Sequence, residues 1–493
     1  MRRESRWLAE LQQEIEGHAR AYGLDFFETH FELCDCDTLN MVAACGGFPN
    51  RYPHWRFGME FDQFSKGYTH GLSKIYELVI NTDPCHAFLL DSNTRVAQKL
   101  VMAHVFGHSD FFKNNFCFAP TNRKMLDEMG NHATRIRRWI DRLGVERVEG
   151  FIDTVLSLEN LIDLNAPYIA RRRSRTTLEP GQGEVEVEGF PVEREYMRRY
   201  INPEDKLEDE RRRSEALRTL AEQQAYPELP ERDVLLFLIE RAPLESWEAD
   251  LLSILREETL YFAPQARTKI MNEGWASYWH STLMTERLLE DSEVVDYAEH
   301  CAATLGSSPG SLNPYKLGLC LFRDIERRWN EGRFGPDYEA CDSMAKRQSW
   351  DEQLGLGREK IFEVRRHHSD VTFIEEFLTP ELCVELKLFA YDFNEKRNFW
   401  ELSARDFQVV RERLLCQLTN LGQPIIEVVD ASSRTLTLMH RHEGMDLQLD
   451  HARQALRAVQ TLWKGSVALL TMQEGKEILL RSDGGDDADT RRA

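Results

Sequence analysis

The apolar residues of this 493-residue chain change their spacing near residue 370. Before that point they recur every three or four positions, which favours amphipathic helices. After it, short apolar or alternating runs and two helical patterns follow in the order β-α-β-β-α-β, with the first strand at 383–393 and one more strand at the end. This order is typical of a split-βαβ, ferredoxin-like domain. The change predicts an α+β protein, with a large, mostly α-helical N-terminal domain and a smaller ferredoxin-like C-terminal domain.

The domain limits follow from composition and hydrophobic spacing. The helical domain is expected to span residues 1–365, and the ferredoxin-like domain residues 370–482. Residues 171–230 mix many charges with few apolar residues, which is typical of a surface insertion that interrupts the helical domain. The same argument predicts a disordered tail at 483–493. The spacing also assigns the segment 64–80 to a helix.

Charge and cysteine content limit the classes of function. A formal net charge of −21 and a pI near 5.3 make nucleic acid and anionic membranes unsuitable as main partners, because both repel an acidic protein. No apolar run reaches the roughly 18 residues of a membrane span. The 10 cysteines are scattered without a Cys-x-x-Cys pair, which favours reduced thiols. A cytoplasmic location is therefore expected.

Two histidines four residues apart form the first candidate site. His104 and His108 lie in the segment VMAHVFGHSDFFKNN, and on a helix their side chains would share one face. Zinc peptidases with this spacing usually carry a glutamate after the first histidine, where this chain has Val105. Three alternatives fit the pattern: a metal site that lost its base, a metal site for other chemistry, and two buried histidines without a metal.

A second segment, NEGWASYWH at 272–280, strengthens the metal alternatives. Gly274 weakens a helix by about 1 kcal/mol relative to alanine, and such a glycine often marks close approach by another element. Glu273 stands near aromatic residues, where a partly desolvated carboxylate needs a cation or hydrogen-bond donors. Two histidines and a glutamate from a separate helix form a familiar catalytic zinc set, as on the helices of zincin peptidases. The sequence thus predicts a divalent metal, zinc by preference, on His104, His108 and Glu273.

Three further residues are candidates for the catalytic steps. His280 follows Glu273 by two helical turns, about 10.5 Å along the axis, which suits an oxyanion contact better than metal ligation. Glu258 and Asp110 are candidate proton acceptors, because hydrolysis by a metal-polarised water usually needs a carboxylate and none follows the first histidine. No glycine-rich phosphate-binding loop is present in the sequence. A hydrolytic site is therefore favoured over a nucleotide site.

Longer motifs resemble those of the stage V sporulation protein R (SpoVR) family. They are AACGGFPNRYPHWRFGMEFDQFSKGYTHGLSKIYELVINTDPC, QKLVMAHVFGHSDFFKNNFCF, TKIMNEGWASYWHS and NPYKLGLCLFRDIERR. In that family a small apolar residue also follows the first histidine, as Val105 does here. By this resemblance the candidate site positions are His104, His108, Asp110, Asn114, Asn115, Glu258, Asn272, Glu273 and His280.

The resemblance implies a biological process and partners, but no established reaction. The process would be spore cortex formation, or stationary-phase and stress responses in bacteria that make no spores. The partners would be a serine protein kinase with an AAA-type domain and a von Willebrand-like protein. Two hypotheses follow: a metal-dependent hydrolase of an amide or peptide bond, and a non-enzymatic interaction or regulatory protein that acts with the kinase.

Overall fold

The structure of the chain is a computed structural model, and part of the sequence falls outside the residues that it describes. The described residues are 2–70, 74–169, 208, 227, 229–306, 311–394, 397–431, 435–484 and 488–491. Nearly all of the predicted surface insertion at 171–230 lies outside them.

Helices form most of the described chain, and strands are concentrated at its C-terminal end. The helices are α1 (Arg2–Ala21), α2 (Cys36–Ala44), α3 (Trp55–Thr69), α4 (Arg95–Asn114), α5 (Met125–Leu143), α6 (Val145–Leu156), α7 (Val234–Arg241), α8 (Ser246–Arg267), α9 (Lys269–Leu283), α10 (Val294–Thr304), α11 (Pro314–Glu331), α12 (Gly335–Glu339), α13 (Met344–Gln348), α14 (Gly357–His367), α15 (Asp370–Phe377), α16 (Pro380–Glu385), α17 (Phe407–Leu418) and α18 (Leu449–Trp463). The strands are β1 (Thr29–Cys34), β2 (Glu77–Ile80), β3 (Cys85–Leu90), β4 (Ala390–Asn394), β5 (Phe399–Ala404), β6 (Ile425–Asp430), β7 (Leu436–Arg441), β8 (Val467–Gln473), β9 (Lys476–Ser482) and β10 (Ala488–Arg491). The predicted α+β class is confirmed.

Contacts divide the chain into two compact units. The first consists of Met1–Glu149 with Glu258–Gln423, and the second of Gly150–Glu257 with Pro424–Ala493. This grouping differs from the predicted limit near residue 370, because α15 packs against α9 and α17 within the first unit. That residues 1–365 and 370–482 each fold independently stays a prediction.

The first unit contains a small sheet that the sequence did not indicate. Its strand order is β1-β3-β2, with β1 parallel to β3 and β2 antiparallel to β3 at the edge. The assignment of 64–80 to one helix was wrong, because α3 ends at Thr69 and β2 begins at Glu77. A four-residue strand is too short to show its alternation clearly beside a helical pattern.

The second unit contains a five-stranded sheet in the order β10-β9-β8-β7-β6. Strands β7 and β8 are parallel direct neighbours, connected through α18, and the other pairs are antiparallel. A split-βαβ unit would place another strand between the two parallel ones. The ferredoxin-like arrangement is therefore not confirmed.

The segment 383–393, predicted as the first ferredoxin-like strand, belongs to the first unit and is divided. Its beginning lies in α16, where Thr379 caps the backbone N–H of Leu382 and Pro380 occupies the first helical position. Its end forms β4, which pairs only with β5 in a separate two-stranded sheet among the described residues. In the predicted tail, residues 488–491 form β10 against β9.

Within the described part of the chain, no helix has the length and apolar character needed to cross a membrane.

Candidate metal centre

Helix α4 holds the two histidines of the first motif on one buried face. Thr94 caps the helix by accepting a hydrogen bond from the N–H of Ala97 at 3.2 Å. One helical turn separates His104 from His108, and their ring centroids are 4.5 Å apart. Both side chains are buried, with relative exposures of 4% and 8%. The helical spacing therefore brings two imidazoles together in a water-poor environment.

Helix α9 presents Glu273, and a distant carboxylate fixes where this helix begins. The carboxylate of Asp370 accepts hydrogen bonds from the backbone N–H groups of Ile270 and Met271, at 2.8 and 2.9 Å. It supplies the cap that Thr268 does not, since the Thr268 side chain makes no cap hydrogen bond. Glu273 follows in the next turn, buried with a relative exposure of 7%.

The three predicted ligands converge. Oε2 of Glu273 lies 3.5 Å from Nε2 of His104 and 3.5 Å from Nε2 of His108. One ligand atom from each residue lies within 4.8 Å of the other two. Oε2 is buried and has no hydrogen-bond partner among the described residues, and 3.5 Å is too long for a good hydrogen bond. These side chains could hold one metal ion.

The outer atoms of the cluster have their own partners. Nδ1 of His108 lies 2.9 Å from the Oδ1 of Asn272, an acceptor, so the imidazole donates there and its Nε2 is left without a proton when the ring is neutral. Nδ1 of His104 lies 3.0 Å from Nδ1 of His280. Lys269 donates to Oε1 of Glu273 at 2.7 Å. Such contacts orient the ligands of metal sites, and they leave both Nε2 atoms and Oε2 facing one another.

Electrostatics keep this cluster in the state that suits a cation. Burial, followed by the neighbouring His104, lowers the pKa of His108 to about 4, so its imidazole is neutral at pH 7. Burial opposes ionisation of Glu273, but contacts with His104, His108 and Lys269 outweigh it and hold the pKa of this carboxyl well below its usual range. Burial also lowers the pKa of His280. The carboxylate of Glu273 thus faces the neutral imidazole of His108.

Two neighbours of the cluster matter besides the predicted ligands. The ring of Tyr315, on α11, stacks near that of His104, with centroids 6.2 Å apart and planes 24° apart. Tyr315 also lines a surface pocket of about 290 Å³ together with Asn313 and Thr304. The carboxyl of Glu77, on β2, interacts electrostatically with His104 and Glu273. Sequence reasoning missed Glu77, although an acidic residue inside the apolar run YELVI was a signal that it serves more than packing.

Close backbone contacts hold α9 in place on two sides. A Cβ on Gly107 of α4 would lie 2.7 Å from the Cα of Ala276 on α9. A Cβ on Gly274 would collide with the backbone of Gly318 on α11. The close approach inferred from Gly274 is therefore present. It places α9 directly between the helix with the histidines and the helix with Tyr315.

The two candidate proton acceptors lie in ion pairs outside the group of three ligands. Asp110 accepts from Arg365 at 2.5 Å and from the indole N–H of Trp275 at 2.8 Å. Glu258 accepts from Arg51 at 2.7 Å and lies 3.2 Å from Nδ1 of His132. Each carboxylate is thus held by a buried or nearly buried arginine.

Comparisons with known proteins agree with the motifs. The model of the "SpoVR like protein" family matches residues 3–423, and that of the "SpoVR-like C-terminal domain" matches residues 424–474. The chain is 30% identical over 493 residues to "Uncharacterized protein YcgB" of Escherichia coli (strain K12), covering 95% of this chain and 92% of that protein. No solved structure matches. The chain belongs to the SpoVR family, which associates it with sporulation.

Proposed function

We propose that this protein is a zinc-dependent hydrolase of an amide or peptide bond, with His104, His108 and Glu273 as metal ligands. One observation carries the proposal: the unpartnered Oε2 of Glu273 lies 3.5 Å from Nε2 of both histidines. Two atoms that each lie about 2.0–2.1 Å from a tetrahedral zinc are roughly 3.3–3.4 Å apart. The separations in the protein are close to this value and are longer than those of ordinary hydrogen bonds.

The donor set favours a transition metal over magnesium or calcium, and among the transition metals we propose zinc. Imidazole nitrogens suit zinc, copper, iron and nickel, whereas magnesium and calcium prefer oxygen ligands. Three protein ligands leave a coordination position open for water, as catalytic zinc sites do. When bound, the metal would polarise a water molecule and the substrate carbonyl. Asn272 and His280, on the outer nitrogens, would fix the orientation of the two imidazoles.

Amide hydrolysis is the reaction class that this setting favours. The histidines lie on α4 and Glu273 on α9, in the manner of zincin peptidases, and a small sheet with an antiparallel edge strand packs against α4. We propose that these helices are arranged as in zincin peptidases. His280, on the far side of His104 from Glu273, would act through that imidazole, and Glu258 or Asp110 stay proposals for the proton acceptor.

Metal analysis tests the proposal. Wild-type protein, dialysed and reloaded with Zn²⁺, should retain about one equivalent, and His104→Gln and Glu273→Gln should each lower the affinity at least 100-fold. The matched control is His132→Gln, another buried histidine near a glutamate, which should retain the metal. Circular dichroism checks that each variant folds. A folded wild-type protein that binds no Zn²⁺, Co²⁺, Mn²⁺ or Fe²⁺ would overturn the proposal.

A second candidate function is regulation through protein contacts. Strand β5 exposes Phe399, Trp400 and Leu402, with relative exposures of 46%, 46% and 41%. Trp400 and Leu402 share a face of the strand because they are two residues apart, and exposed apolar side chains that lie together are typical of protein-binding surfaces. We propose the serine protein kinase with an AAA-type domain as the partner, in stationary-phase and stress responses. Binding of the purified kinase to wild-type protein but not to Trp400→Ala, measured by calorimetry, would support it; no binding to wild-type protein would exclude it.

A further inference from the structure

A carboxylate that was not among the predicted site residues interacts electrostatically with His104 from the sheet. Glu77 is the first residue of β2, the edge strand, and pairs with Leu89 of β3. Helix α4 packs against both β2 and β3. The question is which face of the sheet Glu77 occupies, since side chains alternate between faces along a strand.

The register answers this question. Leu89 belongs to the hydrophobic core that contains α4 and α9, and Val79, two residues after Glu77, packs against the same core. Leu78 and Ile80 belong to a different core, on the other face of the sheet. Residues 77 and 79 share a face because their separation is two. Glu77 therefore points toward the helices that carry the three proposed ligands.

The surroundings of Glu77 leave its carboxyl available for proton transfer. Among the described residues, no arginine or lysine contributes to its environment, in contrast to Asp110 and Glu258. The charged groups that act on the Glu77 carboxyl are His104 and Glu273, so it lies within electrostatic reach of two of the proposed ligands. Glu77 is also outside the group of three close ligand atoms, so it is free from direct ligation.

We propose that Glu77, and not Glu258 or Asp110, is the proton acceptor of the metal centre, and that it supplies the carboxylate that zinc peptidases carry at the position of Val105. This inference rests on the proposed metal-dependent hydrolysis. The oxygen of water bonds to the amide carbon while one proton of that water moves to the Glu77 carboxylate. The C–N bond then breaks, and the same proton passes from Glu77 to the leaving nitrogen. The sum is one water consumed, with one carboxylic acid and one amine formed, so no oxidant or further reactant is needed.

Cobalt substitution tests this role without a known substrate. Co²⁺ in the site gives visible absorption bands that change when a coordinated water loses its proton, so a pH titration yields a midpoint. A neighbouring carboxylate disfavours a second negative charge. Glu77→Gln should therefore bind one equivalent of Co²⁺ as wild type does and lower the midpoint by about one pH unit or more.

Two variants control the experiment. Glu32→Gln removes an exposed carboxylate from β1 of the same sheet and should leave the midpoint unchanged. Glu77→Asp retains the charge but withdraws it by one methylene, and it should give an intermediate midpoint even if Glu77→Gln folds poorly.

The outcomes separate the two proposals. If wild-type protein takes up no Co²⁺ or Zn²⁺, the metal proposal fails and the role of Glu77 fails with it. If the metal binds but Glu77→Gln and Glu77→Asp titrate like wild type, only the role of Glu77 is overturned. The same holds if wild-type Co²⁺ protein shows no titration between pH 5 and 10, because there is then no water for Glu77 to deprotonate.

Discussion

A single methyl group added to Gly107 should uncouple metal binding from folding. Gly107 lies between the two histidines on α4, and its added Cβ would be 2.7 Å from the Cα and 3.2 Å from the Cβ of Ala276 on α9. Non-bonded carbon atoms prefer separations of about 3.5–4.0 Å. In Gly107→Ala the two helices must therefore move apart by roughly 1 Å.

That displacement is small for the fold and large for a metal centre. Overpacking costs about 1–3 kcal/mol, and the better helix propensity of alanine returns up to about 1 kcal/mol. The net loss of stability should thus be about 0–2 kcal/mol. Ligand distances, by contrast, tolerate only about 0.2 Å. Since Glu273 moves with Ala276 on α9, we expect the affinity for Zn²⁺ to fall by at least tenfold.

Competition with a chromophoric chelator measures the affinity, and urea unfolding measures the stability. Gly130→Ala in α5 is the matched control, because a Cβ there meets nothing within 4 Å. That variant should be stabilised by up to about 1 kcal/mol and should bind Zn²⁺ as wild type does. If Gly107→Ala folds and retains wild-type affinity, the contact between α4 and α9 does not set the ligand geometry.

Two further predictions concern groups in and beside the centre. The pKa of His108 is about 4 in the folded protein, against an ordinary value of 6.5, so the unfolded chain binds more protons between these values and stability rises with pH. In urea unfolding without metal, the free energy of unfolding of wild type should rise between pH 4 and 6.5 by about 3 kcal/mol more than that of His108→Gln. An equal rise in both proteins would contradict the lowered pKa of His108. Glu258→Gln leaves Arg51 without its carboxylate, and Asp110→Asn does the same to Arg365. Each variant should lower the free energy of unfolding by about 3–5 kcal/mol and leave the Zn²⁺ content unchanged. Lost turnover at unchanged stability would instead support their role as proton acceptors.

The sequence could indicate the cluster of His104, His108 and Glu273 because local rules apply to each half of it. A spacing of four places His104 and His108 on one face of any helix, whatever else the chain does. Gly274 inside a helical pattern signals a close approach, and the backbone of Gly318 provides it. Only the pairing of the two segments required more than periodicity.

The partners of the buried carboxylates could not be predicted by such rules. Asp110 pairs with Arg365, 255 residues away, and Glu258 pairs with Arg51, 207 residues away. Separations of this length leave no pattern in the sequence. The sequence therefore does not show that these two carboxylates are held in ion pairs. The C-terminal sheet shows the same limit, because local patterns located β6 to β9 but contain no information on which strands are neighbours.

The burial of Val105 gives a physical reason why the proposed proton acceptor lies on a strand and not on α4. Its side chain is fully buried in the core that α4 shares with α9. A glutamate there would have to ionise among apolar side chains without a partner, which is costly. Glu77, by contrast, is the first residue of the edge strand β2 and interacts electrostatically with His104. Assigning YELVI to a helix concealed the sheet face that carries Glu77, and with it the carboxylate that we propose as the proton acceptor.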